Sequence, residues 1–119
     1  MRGNPEVRDI LQLADLVCLN PVILGELKSG FLRGRRRKEN ERLLAQFRES
    51  PRVALVPIDE ETSDRYAVIR NSLRDAGTPI PTSDIWIAAT AMQHGLVVVT
   101  TDPHFQKSSQ ILVELIPAL

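Results

Sequence analysis

Three short apolar runs constrain the fold of this chain more than any other feature: LVCL (residues 16–19), RVALVPI (52–58) and LVVVT (96–100). They are rich in β-branched residues and lack the apolar–polar alternation of a strand with one wet face, so each reads as a strand buried on both faces. A strand of that kind needs a covering layer on either side. The segments between the runs repeat their apolar residues at helical spacing, and strands separated by helices form a parallel sheet with helices on both faces. A further run, ILVELI (111–116), adds a last edge strand. The expectation is an α/β sandwich of three layers.

The helix boundaries are written in local chemistry. Asn4 caps and Pro5 opens a first helix that carries Val7, Ile10, Leu11 and Ala14. Asn20 and Pro21 start a second, with Ile23, Leu24, Leu27 and Phe31 as its apolar stripe, and Gly34 ends it. A charged helix follows over about residues 36–49, with Leu43, Leu44 and Phe47 inward. Asp59 caps the next, placing Glu60 and Glu61 at the positive end of the helix dipole and Tyr66, Ile69 and Leu73 on its buried face. Beyond the loop AGTPIPT, a helix over residues 83–94 is capped by Thr82 or Ser83 and stopped by Gly95. The order begins on a helix, whereas the first helix of such a sandwich normally continues from a strand.

At 119 residues the chain is one domain's worth, so residues 1–119 are read as a single unit. No apolar run approaches the roughly 20 residues needed to cross a bilayer, and the start MRGNPEV, with no long apolar stretch behind its arginine, is not expected to act as an export signal. With a lone cysteine, Cys18, in an apolar run, the expected location is the cytoplasm and no membrane is involved. The 15 basic and 15 acidic residues cancel, which leaves a polyanion to be held by a local patch or a metal. One patch is visible in RGRRRKENER, where Arg33, Arg35, Arg36, Arg37 and Lys38 cluster. It suits nucleic-acid phosphates, and equally a solvated helix start.

Three carboxylates stand where a parallel sheet binds its ligands, beyond the carboxyl ends of the strands. Asp102 follows VVVTT and is delivered to that rim; alternatively, an Asp before Pro103 starts a turn or caps the short segment DPHF. Asp84 lies in a first helical turn, where its ordinary role is to favour the dipole, but Ala88 and Ala91 on its flank leave it uncovered. Glu26 interrupts the apolar PVILGEL, with Gly30 one turn on. A partly buried glutamate there costs stability unless it binds something or reaches water. Acids from separate elements suit Mg²⁺ or Mn²⁺, and such an ion supports phosphodiester hydrolysis without a serine or cysteine nucleophile. No P-loop or dinucleotide glycine pattern is present, and the two histidines, His94 at a helix end and His104, are too few for a zinc cluster.

The same segments carry a resemblance. PTSDIWIAATAMQHGLVVVTTDPHF (81–105) resembles the C-terminal half of PIN-domain ribonucleases, especially VapC-type toxins of toxin–antitoxin pairs. There an acidic residue opens an IAA-containing helix and a Thr-x-Asp-x-x-Phe segment follows a strand. NPVILGELKSGFLRG (20–34) resembles the family's second-helix motif. The resemblance implies a PIN-like sandwich and metal-dependent RNA hydrolysis, with Glu26, Asp84 and Asp102 as catalytic residues and ligands of Mg²⁺ or Mn²⁺. It makes Thr100 a polar neighbour of the site; the basic run separately offers Arg35, Arg36 and Arg37 as candidate RNA contacts. It also implies a cognate antitoxin that blocks the site, and a homodimer. The family pattern opens on a strand ending in Asp, and none precedes the first helix here. The expectation is thus a fold missing its N-terminal strand, with unpaired edges on two strands and an incomplete acidic set. A VapC-type endoribonuclease and a degenerate PIN domain that binds antitoxin or RNA without cutting both fit; a carboxylate-lined phosphatase or phosphotransfer domain is a third reading.

Overall fold

The computed structural model describes residues 5–100, 102–108 and 111–115. Along them run α1 (Pro5–Leu13), β1 (Val17–Leu19), α2 (Pro21–Arg33), α3 (Arg37–Glu49), β2 (Val53–Leu55), α4 (Glu60–Asp75), α5 (Thr82–His94), β3 (Val97–Thr100), a 3-10 helix (Pro103–Lys107) and β4 (Leu112–Leu115). The strands are parallel, as expected, but they are only partly covered: β1 and β2 contain no fully buried residue, and Leu55 and Val97 are exposed. β1 pairs with β2 from Val17–Val53 to Leu19–Leu55, and β3 with β4 from Val97–Leu112 to Thr100–Leu115. Among the described residues no ladder joins the two pairs, so the parallel sheet is laid out in two pieces.

The core follows the same division. Ile69 and Leu73 of α4 pack with Ile85, Ala88 and Ala89 of α5, Val98 of β3 and Phe105 of the 3-10 helix; a smaller cluster joins Leu24 and Phe31 of α2 to Leu44 of α3. Asn20 ties one to the other. At the end of β1, its Oδ1 accepts the Ile23 N–H at 2.9 Å and so caps α2, while its Nδ2 donates to Thr90 Oγ1 of α5 at 2.9 Å. Thr90 donates in turn to the Trp86 carbonyl at 3.0 Å. The Asn20 side chain is 1% exposed, and both ends of its amide are engaged, as burial demands.

Elsewhere the caps do what the sequence asks, with one exception. Asp59 Oδ1 accepts the Thr62 N–H at 3.1 Å and the Thr62 hydroxyl accepts the Asp59 N–H at 3.0 Å, closing a capping box on α4. Gln93 of α5 donates to the same Asp59 oxygen at 3.0 Å, and Tyr66 stacks on Trp86 with ring centres 4.2 Å apart, so α4 and α5 are locked along their length. Gly95 ends α5 at φ 63°, a left-handed conformation in which a side chain is strained. The exception is the start of α5: neither Thr82 nor Ser83 caps it. Pro81 holds the cap position at φ −56° and ψ 145° without a side-chain hydrogen bond, and the helix begins at Thr82. Asn4, expected to cap α1, lies outside the described residues. That helix buries no residue and is held at its other end, where Arg52 Nη1 donates to the carbonyls of Leu11, Gln12 and Ala14 at 3.3, 3.0 and 2.6 Å.

Candidate metal centre

Two element ends bring the C-terminal acids together. Thr100 closes β3, and its hydroxyl accepts the Asp102 N–H at 2.9 Å, which fixes the direction of the chain as it leaves the strand. Asp102 then caps the 3-10 helix, its Oδ1 accepting the His104 N–H at 2.9 Å. The turn-and-cap role is therefore real, and it immobilises the carboxylate at the rim. Across from it Asp84 occupies the first turn of α5. Ala88 and Ala91 do not leave Asp84 an open flank, as their size suggested. Both are buried, because α4 and β3 pack on α5, and the Asp84 side chain is only 14% exposed.

His104 completes the group, and sequence reasoning passed it over. One oxygen each from Asp84 and Asp102 and a ring nitrogen of His104 lie within 4.8 Å of one another. His104 Nδ1 is 3.1 Å from Asp102 Oδ1 and 3.9 Å from Asp84 Oδ2. The signal that could have found it is the capped turn Asp-Pro-His: an N-cap carboxylate that accepts the N–H two residues on draws that residue back beside itself.

Burial pushes the Asp84 carboxyl above its ordinary range, and the charges of Asp102 and then Glu26 push it the same way, against an opposing pull from His104. Glu26 is thereby placed within electrostatic reach of Asp84, although it stands outside the tight group and, contrary to expectation, is exposed on α2 rather than partly buried. No side chain on the helix covers it, so it meets water. Among the described residues no Lys or Arg forms an ion pair with Asp84, Asp102 or Glu26. Mutually repelling acids with no Lys or Arg partner fit a divalent cation, whose charge reverses the penalty and whose preferred donors are oxygens.

The remaining candidates stand outside the Asp84, Asp102 and His104 group. Arg35, Arg36 and Arg37 are exposed at the α2–α3 junction, where Arg37 Nε pairs with Glu41 at 3.0 Å. Cys18 is half-buried on β1 and carries no disulfide. Among the described residues no helix is long and apolar enough to cross a membrane.

Comparison with known proteins identifies the family. The family model described as PIN domain matches residues 2–109. Ribonuclease VapC4 of Mycobacterium tuberculosis is 37% identical over 81 residues, which are 68% of this chain and 62% of that protein, so the match spans less than two thirds of that relative. Toxin FitB of Neisseria gonorrhoeae is 32% identical over 110 residues, covering 86% of this chain and 79% of its own. Among solved structures, DNA-bound VapBC from Salmonella typhimurium superposes with a TM-score of 0.80 at 26% identity, over 93% of this chain and 84% of that one.

Proposed function

The chain belongs to the PIN-domain family, and from that footing we propose that it is a metal-dependent endoribonuclease of the VapC type. The observation that carries the reading is the convergence of Asp84 and Asp102 on one rim with Glu26 close enough to raise the Asp84 carboxyl. Glu26, Asp84 and Asp102 hold Mg²⁺ or Mn²⁺. A bound ion of this kind neutralises charge on a phosphodiester and lowers the pKa of water for in-line attack. The chain's own residues do the rest. The Thr100 hydroxyl and the cap on the 3-10 helix keep the Asp102 carboxylate from turning away, and the apolar neighbours of Asp84 exclude water from its inner side. Arg35, Arg36 and Arg37 take RNA phosphates at the α2–α3 junction, a sequence-independent grip. In this reading residues 1–119 act as one domain, a cognate antitoxin covers the acidic rim, and two copies form a dimer.

The deciding experiment incubates the purified chain with labelled RNA in Mg²⁺ or Mn²⁺ and in chelator. Cleavage that needs the ion and falls about 100-fold or more in Asp84→Ala and Asp102→Ala is expected, as for loss of a group that stabilises the transition state. Arg35→Gln with Arg36→Gln should weaken RNA binding and flatten its salt dependence. RNA binding without ion-dependent cleavage would instead identify a non-catalytic binding domain. Sedimentation alone and with antitoxin reads the assembly.

A further inference from the structure

We infer that His104 is a nitrogen ligand of the cation, which makes the centre a mixed nitrogen–oxygen site selective for Mn²⁺ over Mg²⁺. This rests on the metal-dependent reading above and extends it to the choice of ion. The first observation is an orphaned atom. His104 Nδ1 is buried and makes no hydrogen bond, although the side chain as a whole is 44% exposed. The ring thus shows its other edge to solvent and turns this nitrogen inward, toward the carboxylates. Asp102 Oδ1, at 3.1 Å, is out of line for a hydrogen bond to the ring and is already engaged by the main-chain N–H of the same histidine. A buried nitrogen left without a partner costs stability unless something else occupies its lone pair.

The spacing says what would. Donors around an octahedral cation with bonds of about 2.1 Å stand about 3.0 Å apart when adjacent and about 4.2 Å apart when opposite. The nitrogen stands 3.1 Å from Asp102 Oδ1, close to the adjacent spacing, and 3.9 Å from Asp84 Oδ2, between the two spacings, so a small turn of the Asp84 carboxylate brings all three onto one ion. The donor is also pre-positioned. Pro103 fixes one backbone angle and the Asp102 cap fixes the next residue's amide, so the imidazole is presented without first ordering a loop. Mg²⁺ gains little from an imidazole in place of water, whereas first-row transition ions accept mixed nitrogen and oxygen donors. The histidine therefore discriminates between two ions that the carboxylates alone would bind in much the same way.

Pulsed electron paramagnetic resonance on the Mn²⁺-loaded chain tests this directly. The expected spectrum shows coupling to a ¹⁴N nucleus that changes on ¹⁵N-histidine labelling, persists in His94→Ala and disappears in His104→Ala; these are the chain's two histidines. The labelling arm needs no variant and stands even where a substitution unfolds the protein. In parallel titrations, His104→Ala should weaken Mn²⁺ binding at least about tenfold, since removing even an outer partner of a ligand costs that much. Mg²⁺ binding should weaken by less than about threefold. An all-oxygen environment for Mn²⁺ in the parent, or equal losses for both ions, overturns the role of His104 and leaves the carboxylate centre intact. If Asp84→Ala and Asp102→Ala leave Mn²⁺ affinity unchanged, the centre itself falls and this inference goes with it.

Discussion

Asp84 is a carboxylate placed where the fold favours its protonated form, and that gives it a testable cost. Its folded-state pKa lies above the ordinary 3.8, so between the unfolded and folded values the native state binds the extra proton. Stability therefore falls as pH rises through that window and stays reduced at neutral pH. Without metal, Asp84→Asn should melt higher than the parent at pH 7, on the order of a few °C, and the gap should close as pH drops below about 4. Differential scanning calorimetry in chelator reads both arms; a variant that melts lower at pH 7 would remove the strain argument. Added Mn²⁺ should reverse the order, because the ion needs the charge. Site residues were unevenly legible at this scale. Asp84 and Asp102 stood out because each follows a recognisable helix start or strand end. Glu26 was placed on α2 but judged too buried, since its exposure depends on what α2 leaves uncovered. His104 was passed over because its place depends on where a single cap turns one ring nitrogen, which the Asp-Pro-His turn only hints at.

Between elements, the decisive side chain is Asn20, which caps α2 and reaches α5 from one amide. Asn20→Ala should cost about 1.5–3 kcal/mol, combining a lost N-cap with a buried partner left short of a hydrogen bond. Asn20→Ser restores the cap without the reach and should recover about 1 kcal/mol of this. Urea unfolding with an unchanged slope is the check, and a Ser variant no better than Ala would mean the cap contributes nothing here. Caps of this sort were readable because they are local: Asn20, Asp59 and Gly95 each act on backbone within a few residues. The second half of Asn20's role was not, since Thr90 lies 70 positions away. The start of α5 was misread for a related reason: a proline held in an extended conformation delivers the chain into the helix without the hydroxyl cap that Thr82 or Ser83 advertised.

On the scale of the molecule, parallel strands and covering helices were legible from the pattern of apolar runs, because strands apolar on both faces admit few other arrangements. Their division into two ladders matches the unpaired strand edges that the resemblance implied, whereas the two core clusters were not legible, since packing is a long-range property. The division matters for the ion. Glu26 belongs to the half built on β1 and β2, and Asp84 and Asp102 belong to the half built on α5 and β3, so a cation held by all three spans the seam. Mn²⁺ should then slow amide exchange in β1 and β3 together; protection confined to β3 and α5 would exclude Glu26 from the site. The same exchange map should find α1 fastest, with or without the ion. None of its nine residues is fully buried, and one guanidinium, that of Arg52, answers for the carbonyls at its end. The chain consequently frays from its front: an opening that releases Arg52 unwinds α1 while both cores stay shut, and a protease meets that helix well before it meets the acids.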